Sequence, residues 1–240
     1  MLPSLHRSPA ALALSFAPLE DRRLGLYAVV DSFVWVERVL AAGVRSVQLR
    51  IKSGPNERVS REVLQSVKAA QAAKAQLFIN DHWELAIEHG AYGVHLGQED
   101  LATADLDGLH RAGLRIGLST HSYWEVCRAR ALAPSYIACG PIYPTTTKDM
   151  PWRPQGSGNL AYWCRILSEP VVAIAGMDKQ RSREAIRCGA AGVAVLRGIA
   201  EATDPELAVQ ELKVAICEGA LEKSISAPDL PRSTFSTFPV

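Results

Sequence analysis

Two aspartates carry the clearest chemical signal in this chain: Asp81, in Ile79-Asn80-Asp81, and Asp100, in Gly97-Gln98-Glu99-Asp100. Each follows a short apolar run, Leu77-Phe78-Ile79 and Val94-His95-Leu96, that reads as a buried strand. If those strands are parallel neighbours, both carboxylates emerge at one end of the sheet. Hard oxygen ligands converging there suit Mg2+ held together with a phosphate group. The alternative makes Asp81 the cap of a helix beginning Trp83-Glu84-Leu85-Ala86, and Asp100 a turn acid. Two acids placed alike after successive strands favour the shared cation.

Cationic groups accompany them. Arg50 and Lys52 alternate with Leu49 and Ile51 at strand period, so Gln48, Arg50 and Lys52 share one side of a strand as it leaves the sheet. Facing inward, such groups are costly without an anionic partner. With Lys148 they could neutralise several phosphate charges, Arg50 through a planar fork and the lysines as point charges. Pairing of Arg50 and Lys52 with acids of a neighbouring loop is the competing reading. The segment Gly140-Pro141-Ile142-Tyr143-Pro144-Thr145-Thr146-Thr147-Lys148 adds three hydroxyls and an ammonium at the start of a long loop. Loops of that length in compact domains are commonly functional; a merely solvated loop is the other possibility. His95 and His121 could reach a pocket, but no histidine pair has zinc-ligand spacing. No serine nucleophile with a partner base can be assigned. Such a site is equipped to hold anions and a metal, which fits ionisation of a pyrophosphate leaving group.

The elements that must position these groups are legible as alternation. Strand candidates are Leu24–Val30, Ser46–Leu49, Gln76–Ile79, Gly93–Leu96, Arg115–Leu118, Tyr136–Cys139, Val171–Ile174 and Gly192–Leu196. Helical spacing marks Val34–Ala42, Arg61–Ala73, Trp83–Glu88, Tyr123–Leu132, Asn159–Leu167, Arg181–Cys188 and Pro205–Cys217. Parallel neighbours need crossover helices, so this order predicts a parallel sheet. Eight evenly spread units predict an α/β fold, a single-domain (β/α)8 TIM barrel. An open doubly wound sheet is the runner-up, but Asp31-Ser32-Phe33 stands where a Gly-rich dinucleotide loop belongs. Functional groups of such barrels sit at the C-terminal ends of the strands. That rule collects Gln48, Arg50 and Lys52; Asn80 and Asp81; Asp100; Ser119, Thr120 and His121; Gly140 through Lys148; Gly176; and Arg197 and Gly198. Gly176 is expected to let backbone approach an oxyanion closely.

Composition sets limits. Of 240 residues, 48% are hydrophobic and 21% charged, and 26 Lys+Arg against 25 Asp+Glu give a net charge of +1, so no nucleic-acid footprint is expected. Five cysteines without metal or disulfide spacing are expected to be mostly buried, reduced thiols in a cytoplasmic protein. No apolar run reaches membrane-spanning length. Residues 1–23 read as a loosely packed N-terminal extension, 24–221 as the catalytic domain and 222–240 as a disordered tail. An apolar stretch from Ala10 to Ala17 lacks a convincing cleavage site, although the absence of acids before Glu20 would fit a transit peptide.

Val47-Gln48-Leu49-Arg50-Ile51-Lys52, Ile79-Asn80-Asp81, Gly93 through Asp100, Ser119-Thr120-His121 and Gly140 through Lys148 together resemble thiamine phosphate synthase, in order from about Gly25 to Leu212. The resemblance implies a transferase of thiamine biosynthesis. It would join hydroxymethylpyrimidine diphosphate to thiazole phosphate, giving thiamine phosphate and pyrophosphate by a dissociative route. It further implies that Gln48, Leu49, Arg50, Ile51, Lys52, Asn80, Ser119 and Lys148 hold the pyrimidine diphosphate, with Arg50, Lys52, Ser119 and Lys148 catalytic. Thr145, Thr146, Thr147, Gly176, Leu196 and Arg197 would surround the thiazole phosphate, and Asp81 and Asp100 would ligate Mg2+. Partners are then small phosphorylated molecules, with neither nucleic acid nor membrane, and a homo-oligomer is conceivable. The family pattern carries Gly-Gly where this chain has Ala175-Gly176, and serine where it has Arg197. The alanine is tolerable where the backbone needs no positive φ; Arg197 is expected to contact phosphate in the serine's place. Two competing readings are a thiazole tautomerase-like isomerase using His95 or His121, and a non-catalytic phosphate-binding regulator.

Overall fold

The computed structural model describes residues 15–54, 56–145 and 152–222. Eight strands form one closed parallel barrel in sequence order: β1 (Gly25–Val30), β2 (Ser46–Leu49), β3 (Gln76–Asn80), β4 (Gly93–Leu96), β5 (Arg115–Thr120), β6 (Tyr136–Cys139), β7 (Val171–Ile174) and β8 (Gly192–Val195). Closure comes from β1 pairing with β8 through Gly25 to Gly192 and Tyr27 to Ala194. Helices α1 (Phe33–Ala41), α2 (Asn56–Ala72), α3 (Trp83–Glu88), α4 (Leu106–Arg111), α5 (Tyr123–Arg130), α6 (Gly156–Ile166), α7 (Lys179–Arg187), α8 (Arg197–Ala200) and α9 (Pro205–Glu222) fill the connections and follow the last strand.

Strand alternation divides the apolar residues into two cores. Val47, Leu49, Leu77, Ile79, Val94, Leu96, Ile116, Leu118, Ile137 and Val193 point outward and pack under the helices. Tyr27, Val29, Phe78, Tyr136, Ala138, Val172 and Ala194 point inward and fill the barrel. Three aromatic rings share the narrow interior, and glycines oppose two of them. Phe78 pairs in register with Gly93, and Tyr136 with Gly117. A Cβ on Gly93 would lie 2.8 Å from the Phe78 ring, and one on Gly117 would lie 2.0 Å from the Tyr136 ring. The rings meet edge to face, Tyr27–Tyr136 at 5.8 Å and Phe78–Tyr136 at 5.0 Å between centroids. That is the geometry their quadrupoles prefer.

All eight strands lie where alternation placed them, with shifted ends. β5 continues through Ser119 and Thr120, and β3 takes in Asn80. Helix α4 escaped notice because it is short and carries Gly108 and His110; Asp105 caps it by accepting from the Gly108 N–H at 2.9 Å. Residues 16–23 do not form a loose extension. Phe16 and Leu19 are buried, Phe16 N–H donates to the Ala133 carbonyl at 3.1 Å, and Ser135 Oγ donates to the Ala17 carbonyl at 2.7 Å. This segment plugs the N-terminal end of the barrel, with Leu19 and Leu24 joining the interior cluster. Residues 1–14 and 223–240 lie outside the described residues. The expectation of mostly buried cysteines fails: only Cys139 is buried, while Cys127 and Cys217 are exposed on helices. Among the described residues no helix is long and apolar enough to cross a membrane.

Gly117→Ala tests the pairing of ring with glycine. The added methyl has no room without moving Tyr136, so the variant should lose about 2–3 kcal/mol of stability, read as a lower midpoint in urea with an unchanged slope.

Candidate active site

The C-terminal rim of the barrel gathers the acids. β3 ends at Asn80, and Asp81 follows with a positive φ of 63°, a conformation unfavourable for a residue with a Cβ. Its N–H donates to the His95 carbonyl at 3.1 Å, which ties the turn to the neighbouring strand. This backbone turns the carboxyl group toward Asp100, which opens a single 3-10 turn (Asp100–Ala102) after β4. The two carboxyl groups lie within hydrogen-bonding reach of each other. Asp81 is thereby held above the ordinary carboxylate range, first by loss of solvent around its carboxyl group and then by the facing Asp100 charge; Asn80 and Arg50 oppose the shift. Asp81 is not the cap of α3; that position is His82. Asp100 does serve its own turn, accepting from the Gly97 N–H at 2.9 Å.

This donor set fits Mg2+. Two carboxylates forced together would favour a shared divalent cation, which would supply positive charge at the rim. Among the described residues no three His, Cys, Asp or Glu side chains converge as a metal cage. Asp81 and Asp100 stand there as a pair.

Cationic groups stand beside the acids. Arg50 follows β2, its N–H bound to the Val30 carbonyl at 2.7 Å, and its charge acts on both Asp81 and His95. Lys52 is exposed two residues on. Among the described residues Arg50, Lys52 and Arg197 form no ion pair, so the neighbouring-loop acids invoked as an alternative do not claim them. Gln48 is buried inside the barrel, where its Nε2 donates to Tyr27 Oη at 3.2 Å. Leu49 and Ile51 are buried in the outer core under the helices. Their side chains face away from the mouth, which leaves only their backbone to reach a substrate. The strand period that turns Gln48 inward turns them outward.

Beneath the rim lies a polar group that spacing alone did not place. His95 is buried, its Nδ1 2.7 Å from Tyr136 Oη and its Nε2 2.8 Å from Ser119 Oγ. Burial, assisted by the Arg50 charge, lowers its pKa to about 3, so the ring is neutral at ordinary pH. His121, the other candidate, bonds Glu125 Oε2 through Nδ1 at 2.8 Å and stacks on Trp152 with 5.7 Å between centroids. Gln98 was also missed: its Nε2 donates to the Ser119 carbonyl at 2.7 Å and ties the β4 loop to the end of β5.

The opposite side of the mouth is built from the β6, β7 and β8 ends. Leu196 packs on the interior cluster and caps α8, and Arg197 is exposed as the first residue of that helix. Thr145 is half-buried; Thr146, Thr147 and Lys148 lie outside the described residues. Gly176 has a packing role besides the expected one. A Cβ there would lie 2.6 Å from the Pro144 carbonyl oxygen and 2.8 Å from Tyr143 Cβ, so the glycine is needed for the β6 and β7 loops to touch. Ala175 has a φ of 77°, which places its methyl in the left-handed region that the expectation had to avoid.

Left-handed alanine costs roughly 1–2 kcal/mol, partly matched by the roughly 0.4–1 kcal/mol that alanine contributes by restricting the unfolded chain. Ala175→Gly should therefore raise stability by about 0.5–1 kcal/mol, seen as a higher thermal midpoint.

Comparison with known proteins places this arrangement. The family model described as thiamine monophosphate synthase matches residues 26–199. A thiamine-phosphate synthase of Serratia proteamaculans (strain 568) is 50% identical over 196 residues, covering 81% of this chain and 92% of that protein. One from Proteus mirabilis (strain HI4320) is 49% identical over 191 residues, 79% of this chain and 88% of that protein. Among solved structures, thiamine phosphate pyrophosphorylase from Pyrococcus furiosus superposes with a TM-score of 0.75 at 28% identity, covering 83% of this chain and 98% of that one. With the barrel closed and both acids on one rim, the chain belongs to the thiamine monophosphate synthase family.

Proposed function

We propose that this chain is a transferase that condenses hydroxymethylpyrimidine diphosphate with thiazole phosphate, forming thiamine phosphate and releasing pyrophosphate. The observation that carries the reading is the meeting of Asp81 and Asp100 beside an Arg50 that has no ion-pair partner among the described residues. A diphosphate bridging these groups would satisfy all three. Asp81 and Asp100 would hold Mg2+, which when bound supplies positive charge against the diphosphate oxygens. Arg50 and Lys52 neutralise the charge that grows on the departing group, Arg50 through its planar fork. Ser119 and Asn80, at the ends of β5 and β3, supply neutral polar contacts on the rim side. The carbon–oxygen bond of the pyrimidine-methyl diphosphate breaks first, both electrons leaving with pyrophosphate. The thiazole nitrogen then donates its lone pair to the pyrimidine-methyl cation. Positioning and charge stabilisation carry most of such a reaction.

We place the second phosphate beside Thr145, Gly176, Leu196 and Arg197; Thr146 and Thr147, expected there too, and Lys148, expected at the pyrimidine diphosphate, lie outside the described residues. An isomerase using histidine as acid and base fits less well. Both ring nitrogens of His95 are engaged below the mouth, and His121 is held by Glu125 and Trp152. The proposed setting is the cytoplasm, with small soluble phosphorylated partners.

Incubation with both substrates and Mg2+ should yield thiamine phosphate and pyrophosphate in equal amounts. Chelation should stop turnover, and Asp100→Ala should lower it at least roughly a hundredfold. Mg2+ with pyrophosphate should raise the thermal midpoint of the unaltered chain but not of Asp100→Ala. Turnover of a thiazole substrate without the pyrimidine or the metal would favour the isomerase. Binding without turnover would favour the regulator.

Arg197→Ser should weaken apparent affinity for thiazole phosphate about tenfold, the effect of losing one charge-assisted contact. Affinity for the pyrimidine diphosphate should hardly change. Equal losses for both substrates would remove Arg197 from the second phosphate site.

A further inference from the structure

Five side chains form one unbroken hydrogen-bond chain through the barrel interior. Gln48 Nε2 lies 3.2 Å from Tyr27 Oη, Tyr27 Oη 2.7 Å from Tyr136 Oη, Tyr136 Oη 2.7 Å from His95 Nδ1, and His95 Nε2 2.8 Å from Ser119 Oγ. The first four are buried and Ser119 is half-buried, so the chain runs from inside the barrel to the rim.

The protons in this chain can be ordered from its inner end. Gln48 donates an amide N–H to Tyr27, whose oxygen is thereby used as an acceptor. Each phenol carries a single proton. Either phenol could donate in the Tyr27–Tyr136 bond, but a buried Tyr27 proton left without an acceptor is costly, so Tyr27 places its own on Tyr136, its other hydrogen-bond partner. Tyr136 must then place its proton on His95 Nδ1. A neutral imidazole that accepts at Nδ1 carries its hydrogen on Nε2 and can only donate there. Ser119 Oγ is the acceptor of that bond. The serine hydroxyl, with one lone pair engaged from below, has its single proton left for the mouth. Packing holds the rings in place: Tyr136 stacks on His95 with 23° between planes and is wedged against Gly117, Tyr27 and Phe78.

We infer that Gln48, Tyr27, Tyr136 and His95 are positioning residues that fix His95 as the Nε2–H tautomer and so make the Ser119 hydroxyl an outward-pointing donor to the departing diphosphate. Identification of the acceptor as diphosphate rests on the transferase reading above; the direction of the chain does not. A donor aimed in advance at an oxygen that gains charge need not reorient when the bond breaks. The inward direction, with Ser119 donating to His95, would instead turn lone pairs toward an anion.

The test has a spectroscopic and a kinetic arm. Nitrogen NMR of the ring-labelled resting protein should show His95 Nδ1 as an acceptor and Nε2 protonated. Because no substrate is present, this result stands or falls apart from the transferase reading. Tyr136→Phe keeps the ring but removes the proton given to Nδ1, so the His95 spectrum should lose that tautomer preference. In the same variant kcat should fall about tenfold, a fraction of the cost of deleting a whole oxyanion donor, with KM for the pyrimidine diphosphate nearly unchanged. Placed on Ser119→Ala, Tyr136→Phe should cost nothing further, because its effect passes through the missing hydroxyl. An Nδ1–H tautomer in the unaltered protein would overturn the inference even if the variant fails to fold. Unchanged kcat in a folded Tyr136→Phe, or full additivity with Ser119→Ala, would overturn it as well.

Discussion

Repulsion between Asp81 and Asp100 is the interaction on which the mouth of this barrel turns. Two like charges brought into contact at the ends of adjacent strands cost free energy, and the raised pKa of Asp81 records the loss of solvent around it first and that repulsion second. The chain accepts a second cost to bring them together, the left-handed backbone at Asp81. Neither is useful to folding. Both would become intelligible under the proposed function, in which the acids would hold a divalent cation and Arg50 would find its counter-charge in an anionic ligand. Strain of this kind persists only where the surroundings over-determine it. Here the strand pairing of Asn80 with His95 and the bond from Asp81 N–H to the His95 carbonyl do so.

The interior beneath that mouth solves a different problem. A barrel core built of Tyr27, Tyr136, His95 and Gln48 buries polar atoms that would each be costly alone. Joined end to end, they satisfy one another and leave their unspent hydrogen-bonding capacity at Ser119. Ser66 Oγ, Gln98 Oε1 and Ser182 Oγ are the buried side-chain atoms that lack a partner among the described residues, and none belongs to this chain. A fully connected network specifies one arrangement where a partly connected one would permit several.

Much of this was legible before any coordinates. Alternation of β-branched runs with helical spacing placed all eight strands, because parallel strands buried on both faces leave that pattern. The rule that strand ends carry chemistry then found Asp81, Asp100, Arg50 and Ser119. What escaped depends on who sits opposite whom. Tyr136 in a strand reads as ordinary core until Gly117 is found beside it, and only the register makes that pairing visible. His95 was marked as able to reach the pocket, yet its neighbours on both sides hold it under the floor. Leu49 and Ile51 came in with the motif that contains Arg50, although period two sends them to the other face. The positive φ at Ala175 left no trace in composition, since alanine gives no warning of left-handed backbone. Thr146, Thr147 and Lys148 lie outside the described residues.

The contact that requires Gly176 reaches beyond its own turn. Past the ends of β6 and β7 the ladder goes on, with Ile142 N–H on the Ile174 carbonyl at 2.9 Å and Tyr143 N–H on the Ala175 carbonyl at 3.3 Å. Tyr143 Oη is anchored to Glu184 at 2.6 Å, and Arg181 lies over its ring while donating to the Gly176 carbonyl at 2.8 Å. This flank of the mouth is a cast wall, stiff before anything arrives. A molecule docking against it encounters a shape already chosen and forfeits little chain entropy there. Under the proposed function, selectivity at this described part of the wall would be set by fit.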